Sequence, residues 1–199
     1  MNLPEQLVQY YRWLRQHGIN DSHSGNASVR DGETVWVTPT GACADTLQVS
    51  DLIKCHLHDA PPAGASLDAP LHLGVYRRNS NATAVLHSHG AHTVGLTMNG
   101  KDFIPVDFEG FYYFPRVPVL TIPFERYVND SPDLVADVLT EYPIMIVKGH
   151  GVYAQAKNLN LAYKWTCSLE LSAKTYFIAQ QSGRLAEGEK KKKIKKVKK

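Results

Sequence analysis

Two histidines one residue apart, at the end of an apolar run, constrain this chain more than any other feature. The stretch Ala84-Val-Leu-His-Ser-His-Gly90 begins as a strand, with a β-branched residue among its apolar positions. Alternate side chains of a strand share a face. His87 and His89 therefore point the same way, roughly 6–7 Å apart at Cα. An isolated His-x-His would read as ordinary polar residues closing a strand. A second apolar strand, Ile144-Met-Ile-Val, also runs into a histidine, His150, flanked by Gly149 and Gly151. Three imidazoles with an open fourth position are the donor set of a catalytic zinc site. His87, His89 and His150 are thus the predicted metal ligands.

The chain of 199 residues suits one domain with a full-sized core. No apolar run reaches membrane-spanning length. The N-terminus, Met1-Asn-Leu-Pro-Glu5, lacks the basic start and apolar centre of a signal peptide. Cys43, Cys55 and Cys167 are odd in number and have no Cys-x-x-Cys spacing, which predicts reduced thiols in a cytoplasmic setting. The net charge of +3 is misleading, because residues 190–199 hold 8 lysines and no acid. Without them 14 basic residues face 19 acidic ones, so the body is mildly acidic, at −5. The Lys-rich end, 184–199, is expected to be disordered and solvated, with at most nonspecific contacts to nucleic acid or anionic lipid. Nothing else in the chain points to a nucleic-acid or membrane partner.

Leu7, Tyr10, Tyr11 and Leu14 recur at helical spacing between Pro4 and Gly18, predicting a helix over 4–17. Val29 opens a hairpin that turns at Asp31-Gly32 and returns along Thr34-Val-Trp-Val-Thr38. Asp68, which fits a helix N-cap or its neighbour, precedes a helix that starts near Ala69-Pro70 and ends near Asn79. A short helix is expected to end at Gly95–Met98, and residues 101–118 read as irregular and aromatic, suited to core or a subunit interface. Val117–Ile122 reads as a strand. Ser131-Pro-Asp reads as a helix start, and 158–181 as the longest helix, with Leu161, Trp165, Leu169, Ser172 and Tyr176 on one stripe. Short antiparallel strand pairs alternating with helices predict an α/β protein: a three-layer α/β/α sandwich with a mainly antiparallel central sheet, occupying residues 1–183.

Five short motifs then fall into an order. They are Ser24-Gly-Asn-Ala-Ser28, Thr38-Pro-Thr-Gly41, Ser66-Leu-Asp68 leading to His72, His87-Ser-His89, and Gly149-His-Gly151. Together they resemble the class II aldolase/adducin family over about residues 4–180. The resemblance implies a homotetramer with zinc, or another divalent metal, on His87, His89 and His150. It implies a phosphate pocket at Gly25, Asn26, Thr40, Gly41 and Ser66, where small residues expose backbone N–H groups and neutral side chains add donors. Asp68 falls where the family's aldolases carry a catalytic Glu, expected to move the proton of a metal-stabilised enediolate, and its reach is about 1.5 Å shorter. Leu67 stands where the family often has a second phosphate-binding Ser, which leaves open a substrate that is anionic in another way. Glu109 lies where the family's dehydratases have an acid/base, whereas its aldolases lean on a Tyr from across a subunit interface, for which Tyr113 and Tyr112 are the candidates. The implied activity is aldol cleavage of a small ketose phosphate. Dehydration, 4-epimerisation or decarboxylation on the same site is the alternative, and a non-catalytic adducin-like scaffold is a third.

Overall fold

The computed structural model describes residues 1–185, so the Lys-rich segment from 186 onward lies outside the described residues. The elements run α1 (Leu3–Gln16), β1 (Asn26–Asp31), β2 (Thr34–Val37), β3 (Ile53–His56), α2 (Ala69–Arg78), β4 (Ala84–Ser88), α3 (Ala91–Leu96), α4 (Phe108–Tyr113), β5 (Val119–Leu120), α5 (Tyr127–Glu141), β6 (Ile144–Val147), β7 (Gly151–Ala156) and α6 (Leu159–Gln181). The seven strands form one sheet in the order β3-β2-β1-β4-β7-β6-β5. Every pairing is antiparallel except β5 with β6. The three-layer α/β/α architecture with a mainly antiparallel sheet is therefore as the sequence predicts.

The pleat sorts the core into two sides. Val35 and Val37 of β2, Val85 of β4, Met145 of β6 and Tyr153 of β7 pack against Leu71 and Val75 of α2 and against Val135 and Leu139 of α5. The alternating residues face the other way: Ala27, Val29, Ala84 and Leu86 pack on Leu7, Tyr11 and Leu14 of α1 and on Ala162 of α6. Ile144, Ile146, Val152 and Ala154 continue that face against Leu169 and Ala173 of α6. The first helix is held by an Asn2–Glu5 capping box, with both bonds at 2.9 Å.

Three local readings change. The helix expected from Ser131 begins a turn earlier, at Tyr127, and encloses Pro132. A 3-10 turn at Phe124–Arg126 feeds straight into it, and Arg126 closes its first turn by an ion pair to Asp130 at 2.8 Å. Ser131 is buried in the second turn of α5, so it is not at the helix end to cap it. The irregular 101–118 region contains the short helix α4, whose Asp107 cap accepts from Gly110 N at 2.8 Å. The strand expected over 117–122 shortens to Val119–Leu120, and β3 had no clear pattern of its own.

Candidate metal centre

The site is built on one row of cross-strand partners. Asn26 of β1 is opposite His87 of β4, and His87 is opposite Tyr153 of β7. Directly opposed residues share a face of the sheet. This row faces the α2/α5 layer, as Val85 does two residues before His87. His150 arrives from the β6–β7 turn, where Gly149 takes φ +68° and His150 N donates to Val147 O at 3.1 Å. Gly151 follows by necessity: a Cβ there would lie 2.5 Å from Ser88 O and 2.6 and 2.7 Å from the rings of His89 and His87.

The imidazoles converge through Nε2. His87 Nε2 is 2.8 Å from His89 Nε2 and 3.0 Å from His150 Nε2. The three potential ligand atoms all lie within 4.8 Å of one another. His87 Nδ1 faces Val152 O at 3.0 Å, and a carbonyl only accepts, so Nδ1 carries the proton and Nε2 presents a bare lone pair. Burial pushes the pKa of all three histidines down, that of His87 furthest, which keeps them in the neutral, ligating form. His87 is buried while His89 and His150 are half-buried, so the cluster is open on one side. An all-nitrogen set of this kind suits zinc and other imidazole-preferring divalent ions.

Asp68 sits beside this cluster, with Oδ2 3.9 Å from His87 Nε2. It occupies the cap position of α2, yet its side chain makes no capping bond. Its carboxylate instead accepts from Asn26 Nδ2 at 2.9 Å, Tyr153 OH at 2.8 Å and Tyr127 OH at 3.0 Å. Burial alone would raise its pKa. His87, the Asn26 amide, His72 and Tyr153 together outweigh burial and hold it near 2, so the group is ionised at neutral pH. The same burial and the same carboxylate drive both phenols up, so they stay protonated. The Tyr127 and Tyr153 hydroxyls also lie against each other beside the carboxylate. Their rings pack on the ligands: Tyr153 stacks on His87 at 4.0 Å and Tyr127 on His150 at 4.6 Å.

The residues expected at a phosphate pocket gather around the same strand ends. Gly25 precedes β1, where a Cβ would lie 2.5 Å from His87 O, and Asn26 gives its amide to Asp68. Ser66 is buried and its Oγ accepts from Asp68 N at 3.3 Å. Pro39 and Ala65 form a β-bridge, and Thr40 N donates to Gly64 O at 2.9 Å, so Thr40 and Gly41 lie on the loop facing Ser66. Leu67, between Ser66 and Asp68, is 62% exposed.

Glu109 and Tyr113 lie elsewhere, on α4. Glu109 is exposed, and Tyr113 packs on Trp165 beneath the Lys164 ammonium, 4.1 Å from its ring. Among the described residues, none of the hydrogen bonds or ion pairs joins either to the histidines or Asp68.

Sequence reasoning missed Tyr127 and Tyr153. A tyrosine inside the apolar strand after His150 was a usable signal, because a buried phenol needs a partner. Tyr127 carried none, since it preceded the expected helix.

Residues 5–177 match the family model described as Class II Aldolase and Adducin N-terminal domain. The crystal structure of L-fuculose-1-phosphate aldolase from Thermus thermophilus superposes with a TM-score of 0.85 at 29% identity, covering 92% of this chain and 97% of that one. The 3-oxo-tetronate 4-phosphate decarboxylase of Haemophilus influenzae is 30% identical over 186 residues, 88% of this chain and 87% of the relative. A methylthioribulose-1-phosphate dehydratase from Aquarana catesbeiana is 28% identical over 179 residues, 76% of this chain and 72% of the relative. With the fold, the ordered motifs and the three-histidine cluster in agreement, the chain belongs to the class II aldolase and adducin N-terminal domain family.

Proposed function

We propose that this protein is a metal-dependent carbon–carbon lyase that cleaves a small ketose phosphate in the manner of an aldol cleavage, with zinc as its resident ion. The observation that carries the reading is the ionised Asp68 carboxylate, held 3.9 Å from His87 Nε2 by three donors. A divalent ion held by His87, His89 and His150 would supply Lewis-acid stabilisation of the negative charge that develops on the substrate carbonyl oxygen.

The chain's own residues then account for the proton. Asp68 takes the proton of the hydroxyl on the carbon that departs. The carbon–carbon bond breaks, its electron pair moves toward the carbonyl group, and the departing carbon becomes an aldehyde. Asp68 returns its proton to the carbon left on the carbonyl side, which balances the cleavage. Tyr127 and Tyr153 keep the carboxylate oriented between these two transfers. Gly25, Thr40, Gly41 and Ser66 are assigned to the substrate's anionic end, where backbone N–H groups and the Ser66 and Thr40 hydroxyls are the donors. Asn26 is assigned there through its neighbouring backbone and to Asp68 through its amide.

Tyr113 is assigned as an acid that acts across an interface in a cytoplasmic homotetramer, and Glu109 takes that place if the reaction on this site is dehydration. The exposed aromatics on the same helix, Phe108 at 88% and Tyr112 at 75%, support such a contact.

The test is an assay for aldehyde release from a panel of ketose 1-phosphates, run beside dehydratase and decarboxylase substrates of matching size. Aldehyde release that is lost in Asp68→Asn supports the proposal. Water or carbon dioxide release, with no aldehyde from any ketose phosphate, refutes it.

A further inference from the structure

The three ligands are not held alike. His87 lies inside β4, where sheet hydrogen bonds fix it, and His150 is fixed in the tight β6–β7 turn by its N–H on Val147 O. His89 falls one residue beyond the end of β4 and leads through Gly90 into α3. Its backbone N–H donates to Asn20 Oδ1 at 2.8 Å, which anchors the side toward the strand. The side toward the helix depends on Glu170, on α6.

The first N–H groups of a helix lack partners within the helix and are usually met by the cap side chain. Gly90 occupies the cap position of α3 and has no side chain to offer. Glu170 supplies the missing acceptors from 80 residues downstream. Its Oε1 accepts from His92 N at 3.0 Å and from His92 Nδ1 at 2.7 Å. Its Oε2 accepts from Thr93 N at 3.0 Å and from Thr93 Oγ1 at 2.7 Å. Four donors thus close on one carboxylate whose side chain is 15% exposed. The fit requires glycine at 90, because a Cβ there would lie 2.3 Å from Glu170 Oε2. Asn20 and Glu170 therefore clamp the peptide on either side of His89, the one ligand carried on a strand-to-helix connection.

We infer that Glu170 is a positioning residue for the metal centre: it sets the place of His89 Nε2, and with it metal affinity, without touching the ion. The inference rests on the three-histidine reading above. Charge-assisted bonds to backbone N–H groups are among the stronger ones available for such a role. Glutamine at 170 would turn an NH2 group toward N–H and O–H donors and open the clamp, while nearly conserving volume. Thr93→Val removes only the Oγ1 bond and leaves the other three in place.

The experiment is chelator competition for Co2+ on the full chain, read with the visible spectrum of the bound ion. Wild type, Glu170→Gln, Thr93→Val and His87→Ala are compared, and metal-free melting temperatures are recorded for each. The expected result is affinity lowered about tenfold to a hundredfold in Glu170→Gln, with a shifted spectrum, and a smaller loss in the folded Thr93→Val. A lower melting temperature in Glu170→Gln or Thr93→Val, with wild-type affinity and spectrum, makes Glu170 a fold staple and overturns the inference alone. If Glu170→Gln does not fold, Thr93→Val decides: weakened binding supports the inference and unchanged binding overturns it. If His87→Ala binds as wild type does, the metal-centre reading fails and the inference falls with it.

Discussion

Tyr153 donates its hydroxyl to Asp68 Oδ2 at 2.8 Å while its ring lies parallel to His87 at 4.0 Å. One side chain thus couples the carboxylate to the imidazole that anchors the cluster. Tyr153→Phe keeps the stack and removes the donor. Losing a donor to the ionised form raises the pKa of Asp68 from its value near 2. The acidic limb of the pH–rate profile should then move upward, by about one pH unit. An unmoved limb would mean that Tyr153 acts only through packing.

Asp68→Asn should leave metal binding in place and lower turnover by about 10²- to 10⁴-fold, the usual worth of a positioned acid/base. The pair of measurements matters: metal content reports the histidines, and turnover reports Asp68. Equal turnover in the variant would assign the proton to another group.

His72 predicts acid lability independently of catalysis. It is fully buried on α2, with Nδ1 2.7 Å from Ser28 Oγ, and burial lowers its pKa from 6.5 to about 4. Between these values the unfolded chain binds the proton and the folded chain does not. Stability is therefore present above 6.5 and is lost as pH falls toward 4. Between pH 7 and 5 this one group should cost about 2 kcal/mol, read from denaturant melts of the metal-free protein. His87, His89 and His150 are lowered as well and add to the same loss. His72→Gln should flatten part of this slope, and an unchanged slope would contradict the assignment.

Gly151→Ala should weaken metal binding at least about tenfold, since the new methyl group meets the rings of both His87 and His89. Gly95→Ala is the control. Nothing lies within 4 Å of a Cβ there, and in the α3 helix the change should be neutral or stabilising by up to about 1 kcal/mol. Both are checked by thermal melts and chelator competition.

The fold was legible because most of its elements carry their own punctuation. Pro4 and Gly18 bracket α1, Gly32 turns the β1–β2 hairpin, and Asn158 caps α6 through a 2.8 Å bond from Leu161 N. The ligands were legible because strand alternation carried one residue past β4 puts His89 on the side of His87, and because His150 follows a second apolar strand in the turn after β6. Asp68 was read both as a helix cap and as an acid, and its carboxylate bonds to Asn26, Tyr127 and Tyr153 rather than to the helix end. Tyr127 reaches Asp68 only because α5 starts a turn before Ser131, a start set by the preceding 3-10 turn rather than by a local cap. The Glu170 clamp joins residues nearly 80 positions apart, so no window of sequence contains it. Glu109 and Tyr113 lie on α4, a short helix inside the stretch that reads as irregular, and Tyr113 packs on Trp165.

The most direct measurement is the metal content of the purified chain, after dialysis against zinc and then against metal-free buffer. It is taken for wild type, His87→Ala and His150→Ala. About one ion per wild-type chain, lost in both variants, is the expected result. Equal metal in all three, or none in the wild type after zinc is supplied, would contradict a metal centre at His87, His89 and His150.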